Sequence, residues 1–130
     1  MKIKKSIIEA IIAQAKKDAP VEACGYLASQ GKVVVKHYEL PNIDKSSEHF
    51  SFDPQDQFKV IKEARSCDLD IVAVYHSHPQ SQAYPSAEDI KLAYDPDISY
   101  VIVSLLEAKE EVKSFKIKNS QVYLEELEVI

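Results

Sequence analysis

The spacing of apolar residues predicts a helix at the beginning of the chain. In the N-terminal segment the apolar side chains recur every three or four positions, at Ile7, Ile8, Ile11, Ile12 and Ala15. This period places them on one face of a helix, which we expect over about residues 4–18. Pro20 follows just beyond it, as is common after a helix end.

A second helix is predicted for residues 53–66. Asp53 is a favourable N-cap residue, and Pro54 suits the first helical position. The buried face of this helix is expected to carry Phe58, Ile61 and Ala64. A short third helix is predicted over residues 86–94.

The remaining apolar segments have the length and the β-branched content of strands. In chain order they are residues 22–29, 32–40, 49–52, 69–77, 99–105, 111–119 and 121–129. The segment 69–77 is apolar on both faces, so we expect it to be a central strand that is covered on both sides. The last two segments alternate polar with apolar residues, as half-exposed strands do.

Helices and strands thus follow one another in the order α-β-β-β-α-β-α-β-β-β. This order predicts an α/β or α+β fold in which a central mixed β-sheet is flanked by helices. The chain has 130 residues, no internal repeat and no low-complexity segment. We therefore expect a single domain over residues 1–130.

Composition and charge narrow the class of protein. The net charge of −5 gives no electrostatic reason to expect binding to nucleic acid or to an anionic membrane. Two cysteines, Cys24 and Cys67, do not make a secreted disulfide scaffold. The N-terminal segment reads as an amphipathic helix rather than a signal peptide, and no segment has the apolar length of a bilayer span. We expect a cytoplasmic protein with reduced thiols.

The segment His76-Ser77-His78-Pro79 carries the first candidate chemistry. Side chains alternate along a strand, so His76 and His78 share a face if the strand of Val74 continues through them. Asp89 comes eleven residues after His78, far enough for a loop to return to the strand end. Two imidazoles and a carboxylate, with a fourth position left for water, are the ligand set of a catalytic zinc site.

Each part of this stretch also has an ordinary interpretation. A His-x-His sequence taken alone is more often a solvated turn. Ser86 and Asp89 have the spacing of a capping box, with Ser86 as the N-cap of the third helix. The two interpretations are compatible, because a helix cap can fix the direction of Asp89. The other histidines, His37 and His49, are expected to be structural or surface residues.

Glu22 and Cys24 are candidates for supporting roles in such a site. A zinc hydrolase needs a carboxylate that is not a ligand, which takes a proton from the attacking water and passes it to the leaving amine. Glu22 would serve if its strand ended beside the metal, although an acid at a strand entrance is most often merely exposed. Cys24 would share its face and is a reserve ligand, but a small buried residue is the favoured interpretation.

Together these residues form one composite pattern. It reads Glu22-x-x-Gly25, then His76-Ser77-His78-Pro79, six residues, and Ser86-x-x-Asp89. The pattern resembles the JAMM motif of the MPN-domain metalloproteases, and every motif position is filled. The order of predicted elements also resembles the MPN fold over nearly the whole chain, in the minimal form of the prokaryotic members.

The resemblance implies a role for each residue. One Zn²⁺ per chain would be bound by His76, His78 and Asp89, together with one water. Glu22 would act first as general base and then as general acid. Ser86 would hydrogen-bond the oxyanion of the tetrahedral intermediate, a contribution of about 3 kcal/mol if it resembles other oxyanion donors.

The resemblance also implies a kind of substrate. Prokaryotic members of this family are similar to enzymes that cut after the C-terminal Gly-Gly of ubiquitin-like or sulfur-carrier proteins and release cysteine or a conjugated lysine. A thin extended tail can add to an open strand edge and lie across the zinc. The expected partner is therefore such a carrier protein, with no nucleic acid and no membrane. The C-terminal sequence LEELEVI would allow a homodimer through an edge strand.

Other functions stay open at this point. Some MPN domains act only as scaffolds, so a non-catalytic binding module is the main alternative. Non-heme iron oxygenases also use two histidines and a carboxylate. A zinc nucleobase deaminase is disfavoured, because that site needs a C-x-x-C sequence and this chain has none.

Overall fold

A computed structural model describes residues 1–130 as one mixed sheet of eight strands with three helices. The helices are α1 (Lys5–Asp18), α2 (Pro54–Ser66) and α3 (Ala87–Lys91). The strands are β1 (Lys2–Ile3), β2 (Cys24–Gln30), β3 (Val33–Leu40), β4 (Asp70–His78), β5 (Ser99–Ser104), β6 (Glu111–Lys118), β7 (Gln121–Glu125) and β8 (Glu128–Val129). None of the three helices combines the length and the apolar composition needed to cross a membrane.

The strand order places the predicted central strand at the middle of the sheet. The order is β7-β6-β5-β4-β2-β3-β1-β8. Strand β4 pairs antiparallel with β2 and parallel with β5. Only Glu126 and Leu127 separate the two end strands β7 and β8 in sequence, so the sheet must curl until its ends approach each other. The expected fold, a mixed sheet flanked by helices, is confirmed.

Helix α1 covers one face of the sheet, as its apolar spacing predicted. Its residues Ile7, Ile11 and Ala15 are buried. They belong to the largest core cluster, whose sheet residues are Ile3, Leu27, Val34, Ala73, Tyr75, Val101 and Val103. Full burial of one such side chain contributes about 1.5–3 kcal/mol. This cluster therefore fixes strands β2 to β5 relative to one another.

Helix α2 packs on the opposite face, but not with the residues that were predicted. Its buried residues are Val60 and Ala64, against a cluster that includes Ala28, Tyr38 and Leu40. Phe58 is 68% exposed and Ile61 is 39% exposed, so the predicted buried face is wrong for these two residues. Val60 and Ala64 are four positions apart, and this narrow stripe is all that the helix buries.

Three further expectations about the elements need correction. Residues 49–52 form no strand, because this segment borders the sheet without joining its ladder. The expected strand over residues 121–129 is broken at Leu127, which packs against the core under α1. Its two parts, β7 and β8, lie at opposite ends of the sheet. Helix α3 ends at Lys91 and not at the predicted residue 94. Strand β1 was not predicted, because its two residues pair only with residues that are distant in sequence.

Candidate metal centre

The carboxyl end of β4 presents two histidines on one face. The strand continues through His78, as the sequence predicted, and both His76 and His78 are buried. Their Nε2 atoms are 3.1 Å apart. The backbone of this strand end is held by its neighbours, because the carbonyl of His78 accepts a hydrogen bond from the amide of Leu105 at 3.1 Å. The two imidazoles therefore occupy fixed positions at the strand end.

The first turn of α3 brings Asp89 to the same point. Ser86 caps this helix: its Oγ accepts from the amide of Asp89 at 3.0 Å, and its own amide donates to Oδ2 of Asp89 at 2.9 Å. The same Oδ2 lies 3.1 Å from Nε2 of His76 and 3.2 Å from Nε2 of His78. The helix cap thus directs the carboxylate at the histidines, and the predicted capping box is confirmed.

The three side-chain atoms have the spacing of metal ligands. They form a triangle with edges of 3.1, 3.1 and 3.2 Å. Ligands at about 2.0–2.1 Å from a tetrahedral zinc ion would lie roughly 3.3 Å apart. Nδ1 of His78 lies 2.8 Å from the carbonyl oxygen of Gln82, so it carries the ring proton and leaves Nε2 of the neutral ring free to bind a cation. His76, His78 and Asp89 are thus a group that can hold a metal ion.

The outer contacts of the two imidazoles differ. His78 is oriented by the hydrogen bond to Gln82, whereas Nδ1 of His76 is buried without a hydrogen-bond partner. The His76 ring instead stacks on Phe50, with centroids 4.7 Å apart and an interplanar angle of 28°. The sequence did not predict Phe50 and Gln82 as neighbours of the two histidines. The only signal for Phe50 was the aromatic pair of residues 49–52.

The electrostatics of the cluster favour a cation. Burial alone would raise the pKa of Asp89, but the adjoining imidazoles of His76 and His78 and the Ser86 amide hold it well below its usual range. Burial likewise would lower the pKa of His78, yet its bonds to Asp89 and Gln82 raise it above the ordinary value. Asp89 therefore stays a carboxylate, which is the form that binds a metal.

Glu22 reaches the cluster through the pairing of β2 with β4. Cys24 is the register partner of His76. One residue earlier, the Ala23 amide donates to Oγ of Ser77 at 2.8 Å, and the Ser77 amide donates to the Ala23 carbonyl at 2.9 Å. This antiparallel register brings Glu22 alongside His78.

The Glu22 carboxyl is buried and lacks a partner. The residue is only 3% exposed, and its Oε1 has no hydrogen bond. Burial raises the pKa of Glu22 to about 8, against the lowering effect of nearby His78. Burial of a carboxyl group without a hydrogen-bond partner destabilises the folded protein. Buried carboxyl groups with a shifted pKa are typical of functional sites. The interpretation of Glu22 as an exposed acid is therefore wrong.

Two neighbours of Glu22 have structural roles. The Cys24 thiol donates to the Leu40 carbonyl at 3.4 Å and is not part of the metal-binding group. Burial raises its pKa to about 12, so it remains a thiol, and the small buried residue was the right interpretation. Gly25 has no room for a side chain, because a Cβ there would lie 2.1 Å from the Tyr38 carbonyl oxygen. This explains the glycine of the composite pattern.

A trough of about 610 Å³ adjoins the cluster, and its lining includes His76 and Asp89. Its aromatic wall is a row of rings from Phe50 to Phe52 and Tyr26, with centroid distances of 5.4 and 5.1 Å. The remaining apolar lining is Val74, Pro85, Leu92, Tyr94, Ile98, Tyr100, Ile102 and Ile117. An extended peptide segment with apolar side chains fits such a space.

The two other histidines do not join the cluster. His37 lies on β3 with Nε2 3.4 Å from a carboxylate oxygen of Glu39. His49 contacts Oδ2 of Asp44 through Nδ1 at 3.0 Å and stands on the rim of the trough. Neither belongs to the group that can bind a metal, so the expectation of structural or surface histidines is confirmed.

The fold and the cluster together define a class of protein. A curled mixed sheet with a His-x-His strand end and an aspartate on the following helix is the arrangement of the JAMM/MPN metalloprotease domain. The chain belongs to this family, in its prokaryotic branch. The sequence model described as prokaryotic homologs of the JAB domain matches residues 4–118.

Named relatives share most of their length with this chain. The CysO-cysteine peptidase of Mycobacterium tuberculosis is 34% identical over 131 residues, which cover 98% of this chain and 90% of the relative. The desampylase of Haloferax volcanii is 33% identical over 90 residues, which cover 67% of this chain and 65% of the relative. The family match over residues 4–118 includes the strands and the helix that bear the composite pattern.

Solved structures have the same fold. Protein DSY2949 from Desulfitobacterium hafniense is 41% identical and superimposes with a TM-score of 0.90, over 99% of this chain and 92% of its own. AF2198 from Archaeoglobus fulgidus, a JAB1/MPN domain protein, is 24% identical with a TM-score of 0.70, over 100% of this chain and 97% of its own. The second comparison supports the fold alone.

Proposed function

We propose that this chain is a zinc-dependent peptidase or isopeptidase that hydrolyses the bond after the C-terminal Gly-Gly of a ubiquitin-like or sulfur-carrier protein. The observation that carries the proposal is the triangle of His76, His78 and Asp89 beside the buried, unpartnered carboxyl of Glu22. The relatives named as a CysO-cysteine peptidase and a desampylase support hydrolysis of carrier-protein conjugates.

One Zn²⁺ is the proposed cofactor, held by His76, His78 and Asp89. The N₂O ligand set and the spacing of 3.1 to 3.2 Å suit zinc. Bound zinc lowers the pKa of a water molecule and polarises the carbonyl that is attacked. The amide of Ser86, which donates to Oδ2 of Asp89, keeps that carboxylate oriented.

Glu22 is the proposed general base and acid. It accepts a proton from the attacking water at its free Oε1 and then delivers it to the nitrogen of the leaving amine. Burial raises the pKa of Glu22 to about 8, and a cation held by its neighbours lowers that pKa again. The carboxyl is thus placed to change protonation near neutral pH.

Ser86 is the proposed donor to the oxyanion. Its Oγ already accepts a hydrogen bond from the Asp89 amide at 3.0 Å. The hydroxyl proton is therefore free to be donated, and its oxygen is fixed at the helix N-terminus next to the ligand carboxylate. Loss of one such donor costs about 3–4 kcal/mol in transition-state stabilisation.

The substrate tail is proposed to lie in the trough as an extended segment. The trough opens directly from His76 and Asp89, so a chain bound there presents its C-terminal bond to the cluster. Glycines at the bond would allow close approach of the backbone to the buried Glu22. The released group is cysteine or the side chain of a lysine.

The cellular location, the domain extent and the oligomeric state are also proposals. We place the enzyme in the cytoplasm as one domain over residues 1–130, supported by the single eight-stranded sheet and by two free cysteines. A homodimer through β8 is supported by the position of this strand at one end of the sheet.

The test is intact-mass spectrometry on a panel of ubiquitin-like and sulfur-carrier proteins. Each carries either cysteine or a lysine-linked peptide after Gly-Gly, and each is incubated with zinc-loaded protein with and without a chelator. We expect loss of the extension at Gly-Gly that the chelator abolishes. A protein that binds one zinc but cleaves no member of the panel would contradict the proposal and favour the scaffold function.

A further inference from the structure

Two exposed apolar side chains stand directly beside the metal-binding cluster. Leu92 is 47% exposed and Tyr94 is 82% exposed. Both follow helix α3, which bears Asp89, and both form part of the rim of the trough. We call this pair the ledge. An apolar side chain exposed at the mouth of a binding site is typical of a protein interaction surface, and tyrosine is among the residues enriched there.

The ledge is held in place by its backbone. The Leu92 amide donates to the Glu88 carbonyl at 2.9 Å, and the Tyr94 amide donates to the Leu92 carbonyl at 3.0 Å. On the far side, the hydroxyl of Tyr100 donates to the carbonyl of Asp95 at 3.0 Å. The two exposed side chains are therefore presented by an ordered segment, so binding of a partner costs the enzyme little conformational freedom.

The charge around the ledge is negative. Apart from Asp89, which belongs to the metal-binding cluster, residues 86–98 contain three carboxylates and one lysine, at Glu88, Asp95, Asp97 and Lys91. The lining of the trough includes no lysine and no arginine. A partner with an apolar patch bordered by basic residues would complement this surface. A second copy of this chain is a poorer occupant, because the chain carries a net charge of −5.

We infer that the ledge of Leu92 and Tyr94 is the docking surface for the folded body of the carrier protein, whose tail lies in the adjoining trough. This inference rests on the proposed function. The ledge and the trough form one continuous surface, so a tail that reaches the metal-binding cluster through the trough leaves the body of its protein over the rim. The carrier is thus expected to present an apolar patch with basic neighbours near its tail.

The experiment compares a whole carrier with its tail. The probes are CysO–cysteine and a short peptide that copies the C-terminal tail of CysO with the same cysteine attached. The double variant Leu92→Ser/Tyr94→Ser is expected to raise KM for the protein conjugate by about tenfold or more, with kcat unchanged. Cleavage of the peptide is expected to lose clearly less, because Leu92 and Tyr94 are only two of the residues that line the trough and a peptide has no folded body to dock.

Matched variants decide the interpretation. Tyr123→Ser/Leu124→Ser removes an equally exposed pair on β7, three strands away from β4, and is expected to leave both substrates unaffected. Leu92→Ile/Tyr94→Phe keeps the apolar surface and is expected to retain the wild-type KM. The inference is overturned if the ledge variant cleaves both substrates normally, or if it loses activity on the peptide to the same extent. If the wild-type enzyme cleaves neither probe, the panel member that it does cleave replaces CysO; cleavage of no panel member would contradict the proposed function, and the inference would fall with it.

Discussion

At the residue scale, two buried polar atoms beside the cluster have no hydrogen-bond partner: Oε1 of Glu22 and Nδ1 of His76. Most buried polar groups in folded proteins are paired, so an unpaired one requires an explanation. The free Oε1 is available to exchange a proton, whereas the His76 ring is fixed by stacking instead of hydrogen bonding. The two atoms therefore lead to different predictions, one about catalysis and one about metal affinity.

Glu22→Gln tests the proposed proton transfer. Glutamine has nearly the same shape but cannot accept the proton of the attacking water, so kcat for the carrier conjugate should fall by about 100-fold or more. Zinc content, measured by elemental mass spectrometry, should remain at the wild-type level because Glu22 is not among the group that can bind the metal. Turnover that persists at the wild-type rate with zinc bound would exclude Glu22 as the base.

Phe50→Leu tests the orientation of His76. Loss of the stacked ring removes an interaction of about 1 kcal/mol, which should weaken zinc binding roughly fivefold in competition with a chelator. Phe52→Leu is the control, because Phe52 packs in the same row at 5.4 Å from Phe50 without touching the imidazole. Equal weakening in both variants would attribute the effect to packing of the segment and not to the stack.

Part of the site could be predicted from residue spacing, and part could not. The shared face of His76 and His78 follows from the alternation of side chains along a strand, and the direction of Asp89 follows from the capping box. The proximity of Glu22 depends on the pairing of β2 with β4, in which the partners nearest to Glu22, Cys24 and His76, are 52 positions apart in sequence. Spacing carries no information about that register, so only the family resemblance assigned Glu22 its role.

At the scale of the elements, the pairing of β2 with its neighbours requires a glycine at one point. A Cβ atom at Gly25 would lie 2.1 Å from the carbonyl oxygen of Tyr38 and 2.6 Å from the hydroxyl oxygen of Tyr75. That hydroxyl also donates to Gln14 of α1 at 2.5 Å. Helix α1, strand β3 and strand β4 therefore all converge on Gly25, three positions after Glu22.

Gly25→Ala is expected to destabilise the protein by about 3 kcal/mol, because the strand backbone must move to admit the methyl group. The melting temperature should fall by roughly 10 °C in differential scanning calorimetry. Gly31→Ala is the control: it meets no atom within 4 Å, and its cost arises only from a φ of +62°. That cost is about 1–2 kcal/mol. A smaller loss at Gly25 than at Gly31 would contradict the close contact.

The elements also show where apolar patterns mislead. The apolar residues Phe58 and Ile61 were predicted to face the core, yet only Val60 and Ala64 of this helix are buried. Residues 121–129 alternate as one strand would, but Leu127 turns inward and the chain changes partners. Both errors have one cause. The period of apolar residues describes a single helix or strand, and it does not define how much of the neighbouring sheet that element can cover.

At the scale of the whole molecule, closure of the curled sheet depends on the last residues of the chain. The Ile130 amide donates to the Ile3 carbonyl at 3.0 Å, and the Glu128 amide donates to the Met1 carbonyl at 2.9 Å. Just before this crossing, Oε1 of Glu125 accepts from Ser99 at 2.7 Å and from Ser114 at 2.6 Å. One carboxylate thus joins β7 to β5 and β6 at the point where the two ends of the sheet meet.

This carboxylate makes stability depend on pH. Burial would raise the pKa of Glu125, but the hydrogen bonds from Ser114 and Ser99 lower it below the ordinary value of 4.5. Because the folded pKa is depressed, the stabilisation is fully present above pH 4.5 and is lost as pH falls through the folded pKa. Glu125→Gln should therefore lower stability by about 1 kcal/mol at neutral pH, a modest value because the side chain is half-buried.

Urea unfolding between pH 3 and 7 measures this contribution, with Glu126→Gln, an exposed neighbour, as the control. The difference between the wild type and Glu125→Gln should shrink as pH falls below about 4.5, since a protonated Glu125 and a glutamine are then similarly neutral. A difference that is constant over the whole range would mean that the serine contacts do not depend on the charge. In that case the sheet would be closed by the backbone bonds of Ile130 and Glu128 alone, and the end of the chain would act through its backbone and not through this carboxylate.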